Sequence, residues 1–483
     1  MTLAAPVPTN TKRSASRVRR IVLVQTHQPF EQLTHVHPVG LLSLAACARA
    51  RGYGDVHVLD MKALGIGPEE AIVELERLAP DVVGLSGMTF EAKCIHAVAR
   101  LVRERLPKAF VIAGGPHASV AADDVLADPA VDLVIRGEAE ESFPAVLDGL
   151  SQGRTDWTDE RGLTWRNADG AIVREPDRAP PDDLDALPMP AWDLVDHARY
   201  RDKARSGVIR TEGDFATMFS SRACPWRCTY CHNSYGKTFR ERSAASVLAE
   251  IDHLVERYNV KELVFLDDIF NFKPARAKAI ARGLIERGYD LRLSFPNGFR
   301  GDHLDEELVD LLQAAGMYRC MIAVESAVPR IQRLSKKNLK IDKVRHIAEY
   351  VARRGVLVHG AFMIGFPTET EAEMRETIDW AVRSPFHTAA FFRVIPFKGT
   401  ALYEQALEGG AWLPDDWTAY EPYRSDINLS EVAEARVTQL RKRAYRRFYM
   451  RPGRLWSILK LLPNKRTNLP VLATLFARRA WAR

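Results

Sequence analysis

The stretch Ser220–Gly236 reads SSRACPWRCTYCHNSYG and holds three of the six cysteines in the 483-residue chain. Cys224, Cys228 and Cys231 are separated by three and then two residues, so a single loop can place three thiolates around a compact inorganic centre. A zinc site with His232 as the fourth ligand is one interpretation, but structural zinc usually pairs two ligand clusters. A 4Fe–4S cluster held by three cysteines is the other, and it would leave one iron open to a small molecule.

The composition excludes several classes of protein. With 46% hydrophobic and 27% charged residues, the chain is long enough for two or three domains. Cys47, Cys94 and Cys320 are scattered in apolar segments, which argues against a secreted disulfide framework and for a reducing compartment. No apolar run approaches the ~20 residues of a membrane span. We expect a cytoplasmic protein in which residues 1–19 are a disordered lead-in rather than a signal or transit peptide.

Residues 20–150 alternate short apolar runs with helical patterns. RIVLVQ and DVVGLSG have the length of buried strands, and PEEAIVELERLA has apolar positions at helical spacing. This alternation predicts an α/β fold with a Rossmann-like parallel sheet, whose ligands bind beyond the carboxyl ends of the strands. A dinucleotide site is a competing interpretation, but QTHQPF follows the first strand where such sites need Gly-x-Gly-x-x-Gly.

Three further regions follow along the chain. Residues 151–205 are predicted to be a connector that includes a hairpin turning at Asp169-Gly170. Residues 206–400 contain six strand–helix units, which predict a partial (β/α)6 barrel of the TIM type. In such barrels the chemistry gathers at the carboxyl ends of the strands, and Cys224 follows the first of them. Residues 401–483 are predicted to be mostly helical, with a basic tail.

The cysteine spacing, with Tyr230 directly before the last cysteine, resembles the signature of the radical S-adenosylmethionine (radical SAM) enzymes. The following segments are similar to that family in the same order. Asp267 and Asp268 follow the second strand in LDDIF, and Glu325 follows the fourth strand in AVESA. FMIGFPTET and PFKGTALY resemble the family's turns after the fifth and sixth strands.

The resemblance implies a role for each of these residues. It implies a 4Fe–4S cluster on the three cysteines, whose open iron binds the amino and carboxylate groups of S-adenosylmethionine. Asp267 and Asp268 would bind the methionine ammonium of this cofactor, because a carboxylate suits a positive group there. Glu325 would bind the ribose, and Tyr230 would lie near the adenine. A reductant protein such as flavodoxin or ferredoxin would supply the electron that releases a 5′-deoxyadenosyl radical.

Residues 20–150 resemble cobalamin-binding domains. Ser86-Gly-Met88 follows the third strand and Gly114-Gly115 the fourth, as in that pattern. In the first motif, His35-Val-His37-Pro-Val-Gly40, His35 replaces the aspartate that would orient a cobalt-ligating histidine. We therefore expect His37 to enter a helix near the corrin, and ligation of cobalt by His37 stays open. The residues that the resemblance assigns to cobalamin are His37, Gly40, Ser86, Met88, Gly114, Gly115 and His117.

Together the two resemblances imply a cobalamin-dependent radical SAM enzyme. We expect a C-methyltransferase that acts on an unactivated carbon of a lipid or natural-product intermediate, through the 5′-deoxyadenosyl radical and methylcobalamin. The same cofactors also serve cyclisation, ring contraction or oxidative rearrangement without methyl transfer, and the sequence does not separate these reactions. A non-catalytic cobalamin-binding regulator is a further alternative, which the set of barrel motifs disfavours.

The C-terminal tail differs in charge from the rest of the chain. From Arg436 to Arg483 the sequence holds fourteen Lys or Arg and no Asp or Glu, so removing this tail from a chain of net charge +6 leaves −8. The segment RKRAYRRFYMRPGRLWSILKLLPNKR mixes bases with aromatic and aliphatic residues. We expect a helix that packs by its apolar face on the acidic body. An anionic membrane surface is the second interpretation, and nucleic acid is the least favoured one.

Overall fold

The computed structural model describes residues 18–27, 35–201, 203, 209–232, 235–420 and 427–481. These residues form two compact units. The first unit takes the described residues within 18–27, 40–181 and 187–194, and the second takes those within 35–39, 182–186 and 195–481.

The first unit is built on a seven-stranded sheet in the order β2-β1-β3-β4-β5-β6-β7. The first five strands are parallel, and the last two are antiparallel to their neighbours. The predicted Rossmann-like parallel sheet is therefore confirmed. Its strands are β1 Arg20–Gln25, β2 Asp55–Asp60, β3 Val82–Ser86, β4 Phe110–Gly114, β5 Leu133–Ile135, β6 Leu163–Arg166 and β7 Ile172–Arg174.

Helices cover both faces of this sheet, because successive side chains of a buried parallel strand point to opposite sides. Ile21 and Leu23 of β1 belong to one core, and Val22 and Val24 belong to the other. The helices are α1 Val39–Ala50, α2 Met61–Leu64, α3 Pro68–Leu78, α4 Ala92–Arg105, α5 Gly115–Val120, α6 Ala122–Leu126 and α7 Ser142–Ser151.

The predicted hairpin after residue 150 is present. β6 and β7 pair antiparallel around a turn in which Gly170 has a left-handed φ of 83°. β6 also pairs with β5, so the hairpin extends the sheet of the first unit. The boundary between residues 20–150 and 151–205 stays a prediction, although part of the proposed connector is integral to this sheet.

The second unit contains the six parallel strands of the predicted partial barrel, in the order β15-β14-β13-β12-β11-β8. β8 and β15 form the two edges, and a separate two-stranded ladder lies between β8 and β11 in the sequence. The strands are β8 Asp214–Met218, β9 Ser221–Arg222, β10 Arg240–Glu241, β11 Val260–Phe265, β12 Arg292–Phe299, β13 Met317–Glu325, β14 Leu357–Ile364 and β15 Thr388–Arg393.

The helices of the second unit follow the strands in alternation and then continue beyond the barrel. The Thr370 hydroxyl accepts from the Glu373 amide, and the Glu373 carboxylate accepts from the Thr370 amide, so a capping box opens α13. The helices are α8 Ala244–Tyr258, α9 Pro274–Arg287, α10 Glu306–Ala314, α11 Pro329–Leu334, α12 Ile341–Arg353, α13 Glu371–Arg383, α14 Ala401–Glu408, α15 Glu434–Tyr449, α16 Pro452–Leu461 and α17 Lys465–Trp481.

α15 covers the edge strand β15, as expected for the first part of the basic tail. The hydroxyls of Tyr445 and Tyr449 accept from the amides of Phe391 (3.0 Å) and Ala389 (2.9 Å), and so satisfy edge groups that would otherwise face outward. Within the described part of the chain, no helix combines the length and hydrophobicity of a bilayer-spanning segment.

Candidate active site

The three predicted cluster cysteines lie on one loop that follows β8. β9 and β10 pair antiparallel, with Arg222 opposite Arg240, and this ladder closes the loop at its base. Ala223 has a left-handed φ of 67°, which turns the chain directly before Cys224. Cys224, Cys228 and Cys231 are all unbridged and partly accessible.

The electrostatics of the loop fit a cationic inorganic centre. Burial, together with the neighbouring Cys228, raises the pKa of Cys224 and raises the pKa of Cys231 to about 12. A ligating cysteine must lose its proton, so these thiols need bound positive charge to become thiolates.

In the described ranges, no three His, Cys, Asp or Glu side chains converge as one metal ion requires. Thiolates on one zinc ion would lie roughly 4 Å apart, whereas the cysteines of an iron–sulfur cluster bind different irons. A cluster does not require its thiols to meet at one point, so three cysteines on one loop are compatible with it.

Contacts from other barrel segments hold the cysteine loop in place. The Thr229 amide donates to the Ser335 carbonyl (3.0 Å), and the Thr229 carbonyl accepts from the Leu402 amide (2.9 Å). Trp226, between the first two cysteines, has the Arg300 guanidinium 4.4 Å above its ring and the His303 ring at 5.2 Å. The loop is therefore held at one residue between the first two cysteines and at one residue between the last two.

The structure separates the two aspartates that follow β11. Asp267 is buried, and its carboxylate accepts from the Ser220 amide (3.2 Å), the Ser220 hydroxyl (2.7 Å) and the Ser221 hydroxyl. Asp268 lies 3.8 Å from Nε2 of His232, and burial raises its pKa while His232 opposes the rise. Asp267 therefore anchors the start of the cysteine loop, and the ammonium-binding role expected of the two aspartates stays a prediction.

Tyr230 and Glu325 lie together at the carboxyl end of the barrel. The Tyr230 ring packs edge-on against Phe366 (5.9 Å), and burial, then the Glu325 charge, raises the pKa of its hydroxyl well above the usual value. Glu325 has a left-handed φ of 64° and pairs with Lys337 at 2.9 Å. Strained backbone of this kind clusters at functional sites, which supports the ribose-binding role expected of Glu325.

Sequence reasoning missed Glu369, the carboxylate inside the Gly-Phe-Pro turn after β14. One of its oxygens accepts from the amides of Gly365 (2.7 Å) and Phe366 (3.0 Å), and no donor among the described residues reaches the other oxygen. Glu369 is fully buried, and this burial raises its pKa to about 7. The sequence does hold one signal for this role. Glu369 lies four residues after Gly365, so its side chain can fold back and accept from the amides of the turn.

In the first unit, most of the predicted cobalamin residues gather at the carboxyl ends of β3 and β4. Ser86 lies opposite Gly114 in the sheet, and the Thr26 hydroxyl donates to the Ser86 carbonyl (3.0 Å). Gly115 has a φ of 79°, and a Cβ on it would lie 2.4 Å from the Ser86 hydroxyl oxygen. Position 115 therefore requires glycine for two reasons: its backbone is left-handed, and a side chain there would collide with Ser86.

Two more of the predicted cobalamin residues, Met88 and Gly40, are exposed on the first unit. Met88 is 46% exposed, although it is apolar. Gly40 lies in the first turn of α1, and a Cβ on it would meet no atom within 4 Å. An exposed apolar side chain and an unobstructed backbone suit the broad face of a corrin better than they suit water.

The two predicted histidines are both buried. His117 lies in α5, is fully enclosed, and its amide donates to the Gly87 carbonyl (3.2 Å). His37 belongs to the second unit, where its ring stacks on Tyr200 (4.1 Å) and its amide donates to the Thr217 hydroxyl (3.3 Å). Neither ring is presented to solvent as a ready cobalt ligand, so the expected corrin contacts of both residues remain predictions.

Comparison with known proteins supports both halves of this description. Residues 33–147 match the model of the B12 binding domain, and residues 218–381 match that of the radical SAM superfamily. The chain is 29% identical to the uncharacterized methyltransferase PH0819 of Pyrococcus horikoshii, over 86% of this chain and 88% of that protein. It is 28% identical to the cytidylyl-2-hydroxyethylphosphonate methyltransferase of Streptomyces wedmorensis, over 81% and 82%.

The fold is also found in a solved structure. The radical S-adenosylmethionine methyltransferase TsrM from Kitasatospora setae, with cobalamin and a [4Fe-4S] cluster bound, superposes with a TM-score of 0.66. The superposition covers 81% of this chain and 78% of the TsrM chain, and the two sequences are 20% identical. From the order of its two matched domains and the fold that they adopt, the chain belongs to the cobalamin-dependent radical SAM enzymes.

Proposed function

We propose that this enzyme transfers a methyl group to an unactivated carbon of a lipid or natural-product intermediate. The observation that carries the proposal is the alignment with methyltransferases over more than four-fifths of both chains. When bound, the cluster and S-adenosylmethionine supply a 5′-deoxyadenosyl radical, and cobalamin supplies the methyl group.

The residues of the barrel would bind and orient these groups. Cys224, Cys228 and Cys231 would hold the cluster, with the loop fixed through Thr229 and Trp226. Asp268 would accept hydrogen bonds from the methionine ammonium. A neighbouring positive charge would lower its raised pKa, so ligand and carboxylate would stabilise each other.

The carboxyl end of the barrel would position the nucleoside. Glu325 would accept from the ribose hydroxyls, with Lys337 fixing its carboxylate. Tyr230 and the Gly365-Phe366 turn would enclose the adenine, and Glu369 would hold the turn through its two amides. The rigid turn would keep water from the radical by close packing, which limits side reactions.

Cobalamin would bind at the carboxyl edge of the first unit. Ser86 and the Gly114-Gly115 turn would meet its nucleotide tail, and Met88 and Gly40 would face the corrin. An external reductant, such as flavodoxin or ferredoxin, would supply the electron. A small-molecule substrate and an external reductant are general for radical SAM enzymes.

The second candidate function is radical chemistry without methyl transfer. The anaerobic magnesium-protoporphyrin IX monomethyl ester cyclase of Rubrivivax gelatinosus is 23% identical over 75% of this chain and 66% of that protein. A cyclase of this kind would use the same two domains.

Product analysis separates the two reactions even without the substrate. Anaerobically reconstituted enzyme is incubated with reduced cobalamin, reductant and S-adenosylmethionine, and nucleoside products are quantified by mass spectrometry. Without substrate, a methyltransferase would yield S-adenosylhomocysteine in an amount limited by the cobalamin that accepts the methyl group, together with 5′-deoxyadenosine from radical initiation. 5′-Deoxyadenosine alone would overturn methyl transfer in favour of the second candidate.

A matched pair of cysteine variants controls this assay. Cys228→Ala should abolish 5′-deoxyadenosine formation, whereas Cys320→Ala should retain it, because Cys320 is buried in β13 away from the loop. Equal loss in both variants would show that the assay reports misfolding.

A further inference from the structure

An apolar face of α16 points outward. Pro452, Leu455, Trp456 and Leu459 follow the i, i+3, i+4, i+7 spacing that normally marks the buried side of a helix. In the structure Trp456 is 72% exposed and Leu455 is 46% exposed, while Ile458 is the buried residue of this helix. Met450, just before α16, is 62% exposed. We call Met450, Leu455, Trp456 and Leu459 the α16 patch.

The charges that the tail itself places around the α16 patch have one sign. Arg451 precedes the helix, Lys460 lies near its end, and no acidic residue follows Glu434 in the sequence. Two bases of the tail are neutralised by the barrel, because Arg436 pairs with Glu371 and Arg447 with Asp379. Those two lie in α15, so the α16 patch keeps its basic surroundings.

A cavity of about 610 Å³ adjoins the α16 patch and shares Met450 with it. Three arginines line it, Arg383, Arg451 and Arg454, together with Ser384 and Ser457. His387 also lines the cavity, but burial lowers its pKa to about 4, so it is neutral at physiological pH.

Two of these arginines are held in place by backbone carbonyls. Arg454 donates to the carbonyls of Val382 (3.0 Å) and Ser384 (2.9 Å), and Arg451 also donates to the Val382 carbonyl. Burial and the charge of Arg451 lower the pKa of Arg454 to about 10, which leaves it positive. An anion in the cavity would relieve this crowding of like charges.

We propose that the α16 patch and the arginine-lined cavity beside it form a peripheral binding surface for an anionic phospholipid bilayer. Lipid phosphates would meet the arginines and Lys460, and Trp456 with its aliphatic neighbours would enter the interfacial layer. Aromatic and aliphatic anchors ringed by bases are the features that anionic membrane surfaces select.

Two other occupants fit the surface less well. A second copy of the chain, related by a twofold axis, would bring two sets of bases together without acids opposite them. Nucleic acid would satisfy the arginines, but it would gain little from the outward Leu455 and Met450. Charge complementarity together with apolar exposure favours the bilayer.

The test is vesicle co-sedimentation of the full-length, cluster-loaded enzyme. Vesicles of phosphatidylglycerol mixed with phosphatidylcholine are compared with vesicles of phosphatidylcholine alone. We expect binding to the anionic vesicles that weakens as salt is raised. Trp456→Ser should lower binding about tenfold or more, because it removes the largest apolar anchor. Trp412→Ser should leave it unchanged, because Trp412 is a similarly exposed tryptophan (78%) outside α16.

A variant that removes two positive charges completes the vesicle test. Arg383→Gln combined with Lys460→Gln should weaken anionic binding and flatten its salt dependence. Iron content and formation of 5′-deoxyadenosine should stay at the level of the parent enzyme in all these variants, which shows that they fold.

Three results would overturn the proposal. One is that anionic vesicles do not bind the enzyme, and another is that both tryptophan variants bind equally well. The third is a concentration-dependent dimer in analytical ultracentrifugation that Trp456→Ser dissociates, which would assign the α16 patch to a contact between copies.

Discussion

Glu369→Gln tests whether the turn after β14 contains a buried carboxyl group that titrates near neutrality. Glu369 is fully buried, and its pKa is raised from 4.5 to about 7. An acid whose pKa is higher in the folded state holds its proton longer there. The stability that this proton uptake contributes is present below pH 4.5 and is lost as the pH rises towards 7.

The size of the effect follows from the shift. A rise of roughly 2.5 units, at 1.36 kcal/mol per unit, corresponds to about 3 kcal/mol between the neutral and charged forms. Glutamine stays neutral, and its amide oxygen can accept from the Gly365 and Phe366 amides as the carboxylate does. The parent protein should therefore lose about 3 kcal/mol relative to Glu369→Gln between about pH 4 and about pH 8.

The assay is the thermal unfolding midpoint of both proteins across that pH range. For a unit of this size, about 3 kcal/mol corresponds to a difference of roughly 6 °C. Glu373→Gln is the matched control, since Arg330 lowers the pKa of Glu373 to about 2. That carboxylate stays charged throughout, so its variant should differ from the parent by a constant amount of about 1 kcal/mol or less. Parallel pH profiles for the parent and Glu369→Gln would refute the reasoning.

The remaining predictions concern the cysteine loop and the first unit. Asp267→Asn should lower the free energy of unfolding by about 3 kcal/mol and reduce iron loading, because it weakens the bonds to Ser220 and Ser221; urea unfolding and iron analysis measure both. Asp268→Asn should leave stability within about 1 kcal/mol of the parent but weaken S-adenosylmethionine binding about tenfold in calorimetry, and equal effects of the two variants would contradict their separate roles. Cys228→Ala should abolish the cluster absorbance while cobalamin still binds, and joint loss of both cofactors would contradict independent sites. His37→Ala should leave bound cobalamin with an unchanged paramagnetic spectrum, and a shifted cobalt signal would instead show that the imidazole coordinates it.

Much of the fold could be predicted from periodicity, because buried parallel strands need short apolar runs. RIVLVQ coincides with β1 and DVVGLSG contains β3, and the six predicted strand–helix units correspond to the six strands of the barrel sheet. The start of α15 was less predictable. The acidic residues that follow Ser430 in EVAEARVTQL favour a helix that begins at Ser430, but the Ser430 hydroxyl donates to Asn428 (2.8 Å) and the helix begins at Glu434. A local side-chain bond of this kind competes with helix capping.

The sequence identifies the residues of the candidate site, but it does not show which contacts each of them makes. Asp267 and Asp268 are adjacent and chemically identical, yet only the folded chain shows that serine hydroxyls satisfy the first of them. The motif around His37 pointed to the first unit, whereas the ring packs on Tyr200 of the second. Glu369 was missed because its role depends on the turn folding back on itself. For α16 the sequence predicts burial that the structure does not have: the apolar spacing predicts a buried face, and the structure exposes that face.

The close approach of Ser86 to Gly115 limits how this enzyme can diverge. The Ser86 hydroxyl fills the volume where any side chain at position 115 would begin, and the left-handed backbone there already disfavours one. A non-glycine residue at 115 becomes tolerable only after position 86 has lost its hydroxyl and the turn has relaxed. The two positions should therefore change in concert among homologues, with the smaller residue at 86 arising first along any lineage that abandons the glycine.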